Sequence, residues 1–332
     1  MQTTSVMIQS LCVPCFNHCR YCLLSWNGRI TGTAWDRSVR LAERFLNEIR
    51  DQLPELNGYF SFGYSMEHPD LRGAIRTLRR LGSPTADFLQ CDGMKMRDDP
   101  ACRRLMEMLR EEGIRRLNFT VYGLPAYHDA FAGRKGDHAL LMRMMRAAGE
   151  TGIPFSAGIP LTAENVGQVE EAVGMLRDAG SERIRLFIPH EEGRGRDLRH
   201  IRLREQELAL LSPDTRSLLN ADLYRTEEAW LQDPPPLENK RSILISLRPE
   251  NIAYYENSSA ASVIREIEDL DERYYAAFPD HPVLWEAYGD PAGKGLYRFG
   301  DLLSAYRNRY AADHDLRLYD VTDERLSGSR RY

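Results

Sequence analysis

The sequence predicts an α/β fold on parallel strands. Three observations carry that expectation. Strand-like runs alternate with helical periodicity through the first 190 residues, glycine or capping residues punctuate many of the helical stretches, and residues of chemical character follow the strand ends. A parallel sheet of this kind is either open and doubly wound or rolled into a barrel, and the pattern alone does not choose. In both arrangements an active site lies at the C-terminal ends of the strands.

The elements follow in order. Val6, Met7 and Ile8 read as a short strand that runs into a cysteine-rich loop. Val39, Ala42, Leu46 and Ile49, with Leu41 and Phe45, fall on one helical face. Residues 59–62 read as a second strand. Asp70 caps a helix bearing Leu71, Ile75 and Leu78, closed by Gly82. Residues 87–90 are a third strand, and Asp99-Pro100 opens the next helix, which Gly113 ends. Residues 117–122 alternate as a fourth strand. A helix over 137–148 and a strand near 155–159 come next. A helix bearing Val166, Val169, Val173 and Leu176 then leads to a sixth strand at 184–188. Beyond residue 200 the composition changes. Helices are expected at 203–219, 260–278 and 299–310 and a strand at 242–247, with a break at Pro234-Pro235-Pro236. The loops that converge at strand ends hold the cysteines, 63–66, 91–93, 120–123 and 189–195.

Composition bounds the function. At 332 residues, 42% of them hydrophobic, the chain buries a full core as one large or two smaller units. Six cysteines, four of them within residues 12–22, do not form a disulfide framework. No signal peptide or apolar run of membrane-span length is visible, so a cytoplasmic location without a membrane partner is expected. A formal net charge of −5 offers no global attraction for nucleic acid.

Cys15, Cys19 and Cys22 stand in a C-x3-C-x2-C run with Tyr21 just before the last thiol. Three thiolates on a short loop suit a cubane iron–sulfur cluster, and a missing fourth ligand leaves one iron open to bind a small molecule. Cys12 keeps other readings open. With Cys15 it forms a thioredoxin-like C-x-x-C, and the four cysteines together would serve a structural zinc site or a closed electron-transfer cluster.

The cysteine run resembles that of the radical S-adenosylmethionine (radical SAM) superfamily, and the resemblance extends over roughly residues 4–196. Gly63 matches the second glycine of the family's G-G-E-P segment, while Phe62, Tyr64 and Ser65 replace its other members. Cys91-Asp92-Gly93 stands at the T-N-G turn, and Thr120-Val121-Tyr122-Gly123 is similar to the strand-four motif. His128-Asp129, Gly133 and Gly136 match the H-D-x-x-x-G-x-x-G stretch, with Ala132 where arginine is common. Asn165 matches the asparagine after strand five, and Pro189 begins the loop after strand six.

The resemblance implies a partial (β/α)6 TIM-like barrel over residues 1–200, with a mostly helical accessory region over 201–332 shaping the substrate pocket. It implies one [4Fe-4S] cluster held by Cys15, Cys19 and Cys22, and S-adenosylmethionine on its open iron. Tyr21 is expected against the adenine. Gly63, Tyr64, Ser65, Asp92, Thr120 and Pro189 are expected to line the rest of the cofactor. The implied reaction is reductive cleavage to a 5′-deoxyadenosyl radical that abstracts hydrogen from substrate, with electrons from a donor such as flavodoxin or ferredoxin. Similarity to the peptide-modifying branch implies a ribosomally made peptide as substrate. No cysteine follows Cys102 to build auxiliary clusters, which keeps a small metabolite as the alternative. Cys91 is a candidate hydrogen-atom donor to a substrate radical, against the alternative of a buried core cysteine. The tail at 325–332 is expected to cover the barrel mouth or to remain mobile.

Overall fold

The computed structural model describes residues 2–10, 15–22, 34–62, 65–191, 193–236, 240–290 and 294–316. Cys12, Gly63, Tyr64 and the tail at 325–332 lie outside the described residues.

Among the described residues, seven strands are all parallel to their neighbours. They are β1 (Gln2–Ser10), β2 (Asn57–Phe62), β3 (Phe88–Gln90), β4 (Arg116–Thr120), β5 (Phe155–Pro160), β6 (Arg183–Phe187) and β7 (Lys240–Leu247). Between them run α1 (Trp35–Gln52), α2 (Leu71–Arg80), α3 (Asp99–Glu111), α4 (Pro125–Ala132), α5 (Asp137–Thr151) and α6 (Val169–Asp178). One ladder has the order β2-β1-β7 and the other β3-β4-β5-β6. Among the described residues no ladder joins β2 to β3 or β6 to β7, so the array is a partial barrel rather than a closed one.

The strand pleat sorts side chains to two faces. On the outer face of the first ladder, Val6, Ile8, Phe60, Ile243 and Ile245 pack against Leu41, Phe45 and Ile49 of α1 and against Val263, Ile264 and Ile267 of the helix Ala260–Ala276. On the outer face of the second ladder, Leu89, Leu117, Phe119, Phe155 and Ile159 pack against Met106, Leu109, Leu141, Met144 and Met145. Each such aliphatic or aromatic side chain contributes about 1.5–3 kcal/mol by leaving water. The alternate positions, Gln90, Asn118, Thr120, Ser156, Arg183 and Arg185, line a cavity of about 280 Å³ on the opposite, inner face.

Among the described residues, the segment after residue 200 is mostly helical, as expected, and contributes one strand. β7 lies in register with β1, Val6 beside Ile243 and Ile8 beside Ile245, so the two halves of the chain share one sheet. The expected helix over 203–219 is instead two single turns, Glu205–Leu208 and Pro213–Arg216. Pro213 lacks the donor a continuous helix needs there, and Ser212 restarts the chain as a cap, its hydroxyl accepting from the Thr215 N–H at 3.2 Å. The helix Phe299–Asp313 gathers Trp230, Leu284 and Tyr306 into a small core, and its Asp301 reaches His190, 3.1 Å away, in the loop after β6. No helix among the described residues is long and apolar enough to cross a membrane.

Candidate active site

The cysteine loop is held by backbone hydrogen bonds to elements far away in sequence. Phe16 N–H donates to the Gly93 carbonyl at 2.9 Å, His18 N–H to Ala132 at 2.8 Å and Arg20 N–H to Phe131 at 3.0 Å. From the other side, the Arg194 N–H donates to the Cys22 carbonyl at 2.9 Å. The main chain of Arg194 thus braces the loop, and its guanidinium donates to the His18 carbonyl at 3.4 Å. Two glycines permit the fit. Gly93 has φ +64°, and a Cβ there would lie 2.2 Å from Cys15 Sγ; Gly133 has φ +65°, and a Cβ there would lie 2.9 Å from the His18 Cβ.

A buried polar network fixes the middle of the loop. Asn17 Nδ2 donates to Asp137 Oδ2 at 2.9 Å, and His128 Nε2 bonds the same oxygen at 3.1 Å. His128 Nδ1 accepts from the Tyr122 N–H at 3.0 Å, so Nε2 carries the proton and donates to Asp137. Arg134 pairs with the other carboxylate oxygen of Asp137. Burial pushes the Asp137 carboxyl up, but the bonds from His128 and Arg134 outweigh it, and the group sits below the usual carboxylate range. Asp129 accepts from the His138 N–H at 2.9 Å and from the Gly136 N–H, and so shapes the turn between α4 and α5. The His128-Asp129 stretch thus works as a scaffold for the loop. Asn17 and Asp137, which complete that scaffold, carry no motif signal of their own; only their pairing in space shows their role.

The thiols themselves are half-buried. Cys19 Sγ lies 2.9 Å from the Tyr122 hydroxyl. Burial pushes the Cys15 thiol up to about 11 and the Cys19 thiol up to about 12. A bound iron reverses that preference, because a metal-coordinating thiol is deprotonated outright. Among the described residues no three histidine, cysteine, aspartate or glutamate side chains converge on a single-ion site. A cubane does not ask for that, since each thiolate meets a different iron. Three soft ligands on one anchored loop, with Gly93 leaving room beside Cys15, fit such a cluster.

Next to the loop, Asp92 Oδ1 accepts from the Thr120 N–H at 2.9 Å and Oδ2 from the Thr120 hydroxyl at 2.7 Å. Gln90 Nε2 donates to the same carboxylate and stands 3.4 Å from the Thr120 hydroxyl. Burial raises the Asp92 carboxyl above its ordinary value, and the bonds from Thr120 and Gln90 oppose that shift. Tyr21 sits among Tyr122, Phe131 and Phe187, with ring centroids 5.7, 5.9 and 6.3 Å away. Asn165 ties the end of β5 to the residues after β4, donating to the Tyr122 and Pro160 carbonyls at 2.8 and 2.7 Å. The Pro189 carbonyl accepts from Arg202 at 3.3 Å, and Arg202 also pairs with the fully buried Glu191 at 2.7 Å. Ser65 opens the short turn Ser65–Glu67, where Glu67 accepts from the Lys95 N–H at 2.9 Å and binds Arg97 at 2.6 Å.

One expected residue is not brought to the site. Cys91 is fully buried in the apolar layer between the second ladder and its helices, with Leu89, Met94, Cys102 and Met106 in the same core. The pleat explains it: Gln90 and Asp92 take the inner face, so the residue between them takes the outer one. The expectation that Cys91 faces the site as a hydrogen-atom donor gives way to the buried-core alternative.

The family profile described as Radical SAM superfamily matches residues 11–176, half of the chain. The chain belongs to the radical SAM superfamily, a class of enzymes that carry a [4Fe-4S] cluster and S-adenosylmethionine. No curated protein matches it. Among solved structures, the chain is similar to Streptococcus suis SuiB bound to precursor peptide SuiA, at 12% identity and TM-score 0.45, covering 78% of this chain and 62% of that one. It is similar to coproporphyrinogen III oxidase (HemN) from Escherichia coli, at 14% identity and TM-score 0.39, covering 65% and 50%. It is also similar to anSMEcpe with bound AdoMet and Cp18Cys peptide, at 12% identity and TM-score 0.39, covering 57% and 51%. The chain thus spans between half and two thirds of the length of these proteins.

Proposed function

We propose that this protein is a radical SAM enzyme with one cluster, bound by Cys15, Cys19 and Cys22, that acts on a ribosomally made peptide. The anchored cysteine loop carries the reading: four backbone hydrogen bonds and the Asn17–Asp137 contact hold it beside the Asp92–Thr120 pair. When bound, the cluster and S-adenosylmethionine supply a carbon radical able to take hydrogen from an unactivated C–H bond.

The chain's own residues do the rest. Tyr21 offers an aromatic face for the adenine, held in place by Tyr122, Phe131 and Phe187. Asp92 and Thr120 present a hydrogen-bonded carboxylate and hydroxyl at the strand ends, suited to the polar atoms of the cofactor. The loop at 189–201, braced by Glu191, Arg199 and Arg202, walls the same side and limits water. The inner face of β3–β6 lines a cavity of about 280 Å³ with polar side chains, which suits the polar groups of a peptide. The motif resemblance to the peptide-modifying branch supports the peptide reading.

The test is anaerobic reconstitution followed by iron and sulfide analysis and by an assay for 5′-deoxyadenosine under a one-electron reductant. About four iron and four sulfide per chain are expected, and Cys19→Ala should lose both cluster and cleavage. A mass change on a precursor peptide encoded beside the gene then establishes the substrate. A reconstituted protein that holds iron but never releases 5′-deoxyadenosine would overturn the assignment.

A further inference from the structure

Among the described residues, two arginines on the inner face, Arg183 and Arg185, stand in the cavity without a carboxylate partner. The strand register stacks the inner face in layers. Gln90, Asn118, Ser156 and Arg183 stand side by side in one layer, and Thr120, Gly158 and Arg185 in the next, toward the C-terminal ends of the strands. Asp92 joins the second layer through its bonds to Thr120. Arg183 and Arg185 are two residues apart on β6, so they project to the same face, and both are exposed there, lining the cavity.

Around the cysteine loop and the strand ends, several arginines are matched with carboxylates: Arg20 with Glu164, Arg97 with Glu67, Arg134 with Asp137 and Arg202 with Glu191. Among the described residues, Arg183 has no ion pair, and Arg185 meets only the Phe187 ring, 5.9 Å away. Arg116, lower on the same face, has its carboxylate partner Glu182 at 3.9 Å. Asp92, at the upper end of that face, is already occupied by Thr120 and Gln90. Between Thr120 and Arg185 stands Gly158, and the Phe187 ring lies over it, 3.2 Å from where a Cβ would be. A protein of net charge −5 therefore keeps an unneutralised pair of guanidinium forks inside its cavity, two strand spacings (about 10 Å) from Thr120.

We propose that Arg183 and Arg185 bind an oxyanion of the substrate, a carboxylate or a phosphate, and so hold the reacting part of the molecule near the Asp92–Thr120 layer. A guanidinium fork matches either oxyanion bidentately, and the cavity wall raises the local field above that of an open surface. The inference rests on the radical SAM reading for which molecule is bound, but the anion site can be tested without that chemistry.

The whole protein is titrated calorimetrically with a capped peptide of three glutamates, with its glutamine counterpart and with inorganic pyrophosphate, at low and high salt. Binding of S-adenosylmethionine is measured on the same preparation. The glutamate peptide or pyrophosphate should bind saturably and weaken with salt, and the glutamine peptide should not bind. Affinity should fall at least about tenfold in Arg183→Gln/Arg185→Gln, the loss of one or two charge-assisted contacts. Preference for the glutamate peptide points to a carboxylate, and preference for pyrophosphate points to a phosphate. Arg185→Lys keeps the charge and removes the fork, and an intermediate loss is expected if the double variant proves unstable. Equal binding of the glutamate and glutamine peptides, or unchanged affinity in the variants, overturns the proposal. Failure to bind S-adenosylmethionine would instead strike the function proposed above and leave the anion site standing.

Discussion

The buried Tyr122 hydroxyl stands 2.9 Å from the half-buried Cys19 Sγ. With a cluster in place the sulfur is a thiolate and can only accept, so the phenol donates to it. Hydrogen bonds to cluster sulfurs stabilise the reduced state and raise the potential. Tyr122→Phe should keep four iron per chain but move the cluster potential to a more negative value, read by an EPR-monitored redox titration. An unchanged potential would remove the hydroxyl from this role. Cys91 makes the opposite case. Cys91→Ala should leave 5′-deoxyadenosine formation and product unchanged and cost about 1–2 kcal/mol of stability, from a small core cavity, in urea unfolding. At this scale the sequence showed which residues bear chemistry but not which way they face. The C-x3-C-x2-C spacing identifies Cys15, Cys19 and Cys22 directly. The outward direction of Cys91 is written in the alternation of Gln90, Cys91 and Asp92, because the pleat continues two residues past Leu89. Asn17 and Asp137 are 120 residues apart, and no local pattern joins them.

Turns decide whether the strands deliver their residues to one place. The turn after β3 puts Gly93 in the left-handed region, against Cys15. Gly93→Ala adds a backbone cost of about 1–2 kcal/mol and a clash that only movement of the ligand can relieve. Iron content after reconstitution should fall to less than half of the wild-type value while the circular dichroism stays native. Full iron loading in that variant would show that the loop has slack. Elements were legible where caps and periodicity agreed. Asp70 caps α2, its carboxylate accepting from the Gly73 N–H at 2.9 Å, and α1 buries Leu41, Phe45 and Ile49 as its period requires. They were illegible where short helices rest on tertiary contacts. The helix His281–Tyr288 buries only Leu284 and has little periodicity to read, and the 203–219 segment is apolar enough to look helical although Pro213 divides it.

For the whole molecule, the joint between the two halves is the β1–β7 ladder. A chain ending near residue 236 would lose Ile243, Ile245 and Leu247 from the core of the first ladder, together with the helix Ala260–Ala276 that covers it. At about 1.5–3 kcal/mol for each buried side chain, that loss is comparable with the stability of a typical domain. The truncated protein should be insoluble or lack a cooperative thermal transition, whereas an independent barrel domain would melt as the full chain does. The pattern of residues 242–247 announces a strand, but nothing local says that its partner is the first strand of the chain. That pairing depends on contacts across 237 positions, from Val6 to Ile243, which local periodicity does not encode.

The same ladder sets a timetable. During synthesis β1 can dock on β2 early, yet its other edge has no partner until β7 has been made. At roughly 5–20 residues per second, that interval is on the order of ten to fifty seconds. Throughout it the first strand presents an unpaired edge, the kind of surface that recruits neighbouring chains. The cysteine loop follows directly from that strand, and its clamps at Gly93, Ala132 and Arg194 are translated after it, within the same interval. The cysteine motif therefore cannot take its final shape until Arg194 has followed it, and iron delivered before then would meet three thiols without a seat.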